Sequence, residues 1–231
     1  MEFDLFLWPM LVPMILPLLY SSVKMRASFK DIGLLFLLMS GIVLVYWPLI
    51  TSNLVGDYTY SVMKFALFVF LPLLALLISQ RQRIVDILHT LGLHRQGVHK
   101  SILWFLVLVP LMLIVTGGIA YYNGVNYHPH FVLGVVSFFE SFSEEFFFRG
   151  ILFLYLVKRT SLPIAYITSL GSFILMHPQH LQQIGTFFIF STILQGILTL
   201  EIVRRSDNLI GAWLLHGTNR VFSLVVLPLL L

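Results

Sequence analysis

The chain contains no cysteine. That absence removes disulfides, thiolate nucleophiles and cysteine-ligated metal or iron–sulfur centres, and it leaves the compartment open. Charge is scarce as well. Asp, Glu, Lys and Arg make up 10% of 231 residues, against about 25% in a soluble domain of ordinary composition. No internal repeat, low-complexity tract or soluble domain is legible. Hydrophobic residues instead account for 58% of the chain, which fits an all-α fold: one polytopic bundle of membrane helices. A net charge of +4 suggests nucleic acid only until the basic residues are located. They lie in short loops between apolar runs, where membrane topology explains them, and no nucleic-acid partner is expected.

Apolar runs long enough to cross a bilayer, at about 20 residues each, fall near 3–23, 32–50, 62–78, 102–120, 131–157, 162–177, 184–203 and 209–231, giving about eight transmembrane helices. The start, MEFDLFLWPMLVPMILPLLYSSV, has acids before its apolar stretch and no small-residue cleavage pattern, so it reads as a retained first helix. Pro9, Pro13 and Pro17 predict a kink there. Eleven of the 14 basic residues sit in the loops after runs one, three, five and seven. The alternate loops 51–61, 121–130 and 178–183 hold none. The positive-inside rule then puts the basic loops in the cytoplasm and both termini on the opposite side. Ile84, Ile87, Leu88 and Leu91 in loop 79–101 have helical spacing, consistent with a helix on the membrane surface or a plain connector.

Three basic residues remain inside the runs: Lys64, Arg149 and Arg220. Lys64 is near a helix end and reads as a snorkelling side chain. Arg149 shares its run with Glu140, Glu144 and Glu145, and an intramembrane charge costs about 2.5–3.5 kcal/mol on insertion scales, so some partner or chemistry must offset it. Glu145 and Arg149 are four apart, the acid first, which favours a same-face ion pair. Glu144 is rotated about 100° from Glu145 and must face another neighbour, with Glu140 one turn back on the same side. Late runs add His177, in FILMH, and His216, Asn219 and Arg220, in WLLHGTNR. A carboxylate with an imidazole can hold and deprotonate water. A second imidazole and a carboxamide can donate to a developing oxyanion. The bland alternative is a buried polar knot that fixes helix packing.

EEFFFR fits E-E-x-x-x-R, FILMH fits F-x-x-x-H, and a further His with a nearby Asn follows. In that order the sequence resembles the CAAX protease and bacteriocin-processing family of glutamic intramembrane proteases, which includes the type II CAAX prenyl endopeptidase. Composition makes 1–231 a single membrane domain. The resemblance covers about 131–220, the motif-bearing catalytic core, while 1–120 contributes helices without a motif, and it implies an eight-helix membrane core. It implies a metal-independent endopeptidase without cofactor, acting on a membrane-associated peptide or protein within the lipid bilayer. Glu144 would be the general base, His177 would hold the same water, and Glu145 with Arg149 would shape the site. His216 and Asn219 would stabilise the oxyanion. The family's last motif usually reads H-x-x-x-N, whereas here the spacing is three and Arg220 holds the fourth place.

Other chemistries are visible as alternatives. No H-E-x-x-H supports a zincin site, and Gly56-Asp57 lacks a second membrane aspartate. Glu144, His177 and His216 could instead ligate zinc, with His180 of HPQH nearby. The same buried groups could form an ion or proton path, or belong to a non-catalytic regulatory partner. A small chain without extra domains suggests a prokaryotic plasma membrane.

Overall fold

The structure is a computed structural model, and it describes residues 5–51, 57–124, 128–177, 180 and 187–230. Residues 1–4, Gly56, Pro178 and most of loop 178–183 lie outside the described residues. The fold is all-α: among the described residues 87% are helical and no strand occurs.

Each apolar run becomes a helix. A tight 3-10 stretch, Leu5–Met14, leads into α1 (Ile15–Lys24), and α2 is Phe29–Thr51. Helix α3 runs Asp57–Phe65, widens into a π-helical turn at Ala66–Phe70 and continues as Leu71–Gln80. The short α4 (Ile84–Thr90) precedes α5 (Val98–Tyr122). Helix α6 begins as Phe131–Glu145 and widens over Phe146–Tyr155; α7 is Leu162–Leu175 and α8 is Phe188–Ser206. Helix α9 runs Ile210–Val221, a wide turn Phe222–Val226, then Leu227–Leu230.

Among the described residues, four stretches are long and apolar enough to cross a membrane: Arg26–Val45, Thr59–Gln80, Val98–Tyr122 and Ile210–Leu230. Helix α7 is apolar but shorter. The bundle is inverted relative to a soluble protein. Leu103, Leu106, Val107, Leu111 and Ile114 of α5 are exposed, while Glu144, Glu145 and Arg149 are buried. Lipid is the solvent that tolerates such a surface. The chain is an integral membrane protein.

Prolines explain the irregular start. In a 3-10 stretch Pro13 cannot donate to the Met10 carbonyl, and Pro17 cannot donate to the Pro13 carbonyl in the α-helix that follows. Hydroxyls of α7 supply the missing donors: Ser172 Oγ to Met10 O at 2.9 Å and Thr168 Oγ1 to Pro13 O at 3.2 Å. In α3, Pro72 follows the wide turn directly, where its ring would otherwise crowd the preceding carbonyls.

Helix α6 is the centre. All ten residues of Phe146–Tyr155 are buried, as expected for a helix apolar on every side. Phe147 stacks on Phe68 of α3 at 5.2 Å and Phe148 meets Phe173 of α7 edge-on at 5.5 Å. The basic connections converge at one end of the bundle. Arg159 bonds Asp31 at 2.8 Å and Gln80 at 3.0 Å, Gln80 bonds Asp31 at 2.9 Å, and Asn208 donates to His94 O at 2.8 Å. At the other end Tyr122 meets Phe187 at 5.2 Å. The helical reading of 84–91 fits α4, where the Arg83 guanidinium hydrogen-bonds Asp86 and holds its carboxyl below the ordinary value.

Helices α5 and α9 approach so closely that a Cβ on Gly211 would lie 2.1 Å from the Ser101 carbonyl oxygen. The Gly211 N–H, unpaired within its own helix start, donates to Ser101 Oγ at 2.8 Å. Gly211→Ala must push the two backbones apart. It is expected to destabilise by at least about 1–3 kcal/mol, read as an earlier thermal aggregation midpoint in detergent.

Candidate active site

Helix α6 supplies the acids, and helical rotation distributes them. Glu145 Oε2 lies 3.2 Å from Arg149 Nε, four residues along. The Arg149 guanidinium is fully buried. It donates to Thr199 Oγ1 at 2.5 Å and Gly196 O at 3.3 Å on α8, and lies 4.1 Å over the Phe173 ring. The other Glu145 oxygen, Oε1, is 2.8 Å from His216 Nδ1. Glu145 is therefore shared between Arg149 and His216 rather than held by its own helix alone.

Glu144 points elsewhere, as its rotation requires. Its Oε1 accepts from Lys64 Nζ at 2.5 Å and lies 3.8 Å from the Arg220 guanidinium. Its Oε2 is 4.0 Å from His177 Nε2 and 4.0 Å from His216 Nε2. Both imidazoles are orientated through their other nitrogen. His177 Nδ1 contacts the Phe173 carbonyl at 2.9 Å, and His216 Nδ1 contacts the Glu145 carboxylate. Each partner only accepts, so each Nδ1 carries hydrogen and each Nε2 is left to face Glu144. Glu144 Oε2 and His216 Nε2 are buried with no hydrogen-bond partner among the described residues.

Two chemistries make different demands on this spacing. Two hydrogen bonds of about 2.8 Å meeting near a right angle at one water span about 4 Å. Tetrahedral zinc ligands at about 2.0–2.2 Å would be closer, near 3.4 Å. Among the described residues, no three metal-ligating side chains form a group able to hold an ion. His180 stacks on His177 at 5.5 Å and gives its Nδ1 to Thr192 Oγ1 at 2.7 Å.

The geometry thus brings Glu144, Glu145, Arg149, His177 and His216 into one cluster. Asn219 is engaged by other helices: its Oδ1 accepts from Thr116 of α5 at 2.8 Å and its Nδ2 donates to Gln195 of α8 at 2.8 Å. Arg220 sits at the margin, its side chain 40% exposed. Lys64 corrects the sequence reading. It does not snorkel: it is 2% exposed and pairs with both Glu140, at 2.6 Å, and Glu144. Helix α3 starts at Asp57, before the expected 62, so Lys64 lies two turns inside the helix rather than at its end. Gln195 and Thr199 were also missed; their signal was two polar residues four apart in an apolar run, flanking Gly196.

The apolar-surfaced helical bundle thus carries carboxylates, imidazoles and a guanidinium buried at its centre. Residues 126–222 match the family model described as Type II CAAX prenyl endopeptidase Rce1-like, and this motif-bearing part of the chain is CAAX protease-like, as its motif order implies. No curated protein and no solved structure matches the chain.

Proposed function

We propose that the protein is a glutamic intramembrane endopeptidase that hydrolyses a peptide bond in a membrane-associated peptide or protein without a metal ion. The observation that carries this reading is the position of Glu144 Oε2, equidistant at 4.0 Å from two imidazole Nε2 atoms whose tautomers their partners set. A water bonded to Glu144 Oε2 and His177 Nε2 loses a proton to the carboxylate as its oxygen attacks the scissile carbonyl carbon. His216, its Nδ1–H held by Glu145, can carry a second proton on Nε2 and donate to the oxyanion. When the C–N bond breaks, the proton on Glu144 passes to the departing nitrogen, which regenerates the carboxylate. Arg149 lies against the other Glu145 oxygen at 3.2 Å. The oxyanion role expected for Asn219 would fall to its second Nδ2 hydrogen, since the first goes to Gln195. The positive-inside rule puts the Arg159 end of the bundle in the cytoplasm and both termini across the membrane.

The test is reconstitution in vesicles with a randomised, membrane-anchored peptide library, cleavage being read by mass spectrometry. Cleavage at a defined bond that survives strong chelators is expected. Chelator inhibition reversed by zinc would overturn the metal-free mechanism, and ion or proton flux without cleavage would overturn the protease reading.

A further inference from the structure

We infer that Lys64 is a positioning residue of this site: it holds Glu144 ionised and turns its free oxygen toward the two imidazoles. The inference rests on the reading of Glu144 as base, and adds a residue outside residues 126–222, the segment that matches the family.

Three observations carry it. First, Lys64 Nζ contacts Glu144 Oε1 at 2.5 Å, the oxygen opposite the one that faces His177 and His216. A carboxylate pinned by one oxygen has its plane fixed, so the second oxygen is aimed rather than free to rotate. Second, among the described residues the local charges leave Glu144 little else. Arg149 is committed to Glu145, and the Arg220 side chain is 40% exposed and 3.8 Å away. Lys64, buried and held by Glu140 Oε1 at 2.6 Å, is the close cation. Ser61 donates to the other Glu140 oxygen at 2.7 Å, and the Tyr60 ring lies 5.6 Å from Nζ, so two further α3 side chains brace the contact.

Third, wide π-helical turns begin at Ala66, Phe146 and Phe222, one or two residues after Lys64, Glu145 and Arg220. Such turns interrupt the regular ladder and recur at functional sites. Helix α3 therefore shares a local irregularity with α6 and α9, two of the three helices that carry motif residues. Without Lys64, Glu140 and Glu144 would face each other one turn apart in a low dielectric. One of them would then take up a proton. A protonated Glu144 cannot accept a proton from water.

The test combines infrared spectroscopy with turnover on the full chain in lipid. The difference spectrum between the wild type and Glu144→Gln isolates the Glu144 carboxyl band, expected as a carboxylate at neutral pH. On a Lys64→Met background the same difference is expected to show a protonated acid. Turnover of a library peptide that the wild type cleaves should fall about 10²-fold or more. Lys64→Arg, which keeps the charge, should keep the carboxylate band and restore most of the lost turnover. Should Lys64→Met fail to fold, Lys64→Gln, which keeps a polar donor toward Glu140 and removes the charge, is read in the same way. A carboxylate band unchanged in the lysine-free variant, or turnover within threefold of wild type, would overturn the inference. The two readings fail separately: an active Glu144→Gln removes the base, whereas an inactive Glu144→Gln beside an active Lys64→Met removes only the lysine.

Discussion

Glu144→Gln is expected to lower peptide-bond cleavage by about 10³–10⁴-fold, near the top of the range for a general base, with the fold intact. The substitution is nearly isosteric. The glutamine carbonyl can still accept from Lys64, as Glu144 Oε1 does at 2.5 Å. The new NH₂ group would stand where Oε2 faces His177 and His216 Nε2 at 4.0 Å, and both nitrogens can accept from it directly or through water. Packing and hydrogen bonding are thus retained while proton acceptance is lost. Glu144→Ala is a poorer probe, because it also strips Lys64 of a buried partner. The measurement is single-turnover cleavage in vesicles, with size-exclusion profile and thermal midpoint as controls for folding. Activity within tenfold of wild type would transfer the base to another group.

How much of this was legible beforehand depended on whether the information was local. The apolar runs marked helices because a lipid-facing helix needs only length and hydrophobicity. The run read over 131–157, for example, is helix α6 with its wide second half. The division of labour between Glu144 and Glu145 was equally local, since 100° of rotation separates neighbours on any helix. The Glu145–Arg149 contact at 3.2 Å follows from the four-residue spacing. Long-range facts were harder to read. Lys64 was misjudged because its meaning depends on depth in the helix and on two carboxylates 76 and 80 residues away. Asn219 shares a helix face with His216, yet its carboxamide is claimed by Thr116 and Gln195 on other helices. In the runs 162–177 and 209–231, His177 stands at the end of one and His216 near the start of the other. The structure nevertheless brings both to Glu144, with α7 ending just before His177 and the wide turn of α9 starting just after Arg220.

Arg149→Met is expected to cost about 3–5 kcal/mol, the usual penalty for removing one partner of a buried ion pair. The guanidinium lies among Glu145, Thr199, the Gly196 carbonyl and the Phe173 ring, all on elements that meet at α6. Methionine replaces the stem and its contact with Phe173. It leaves the Glu145 carboxylate with His216 as its one remaining close partner among the described residues. If the uncompensated charge causes the loss, then neutralising Glu145 should relieve it. Arg149→Met/Glu145→Gln is therefore expected to be more stable than Arg149→Met alone and to recover at least about half of the lost stability, although inactive. Thermal or denaturant unfolding in a fixed detergent compares the two. Equal losses would locate the cost in packing against Thr199 and Phe173 instead of in the ion pair. The distinction matters for the proposed mechanism, in which the Glu145 carboxylate holds His216 through its Nδ1 at 2.8 Å.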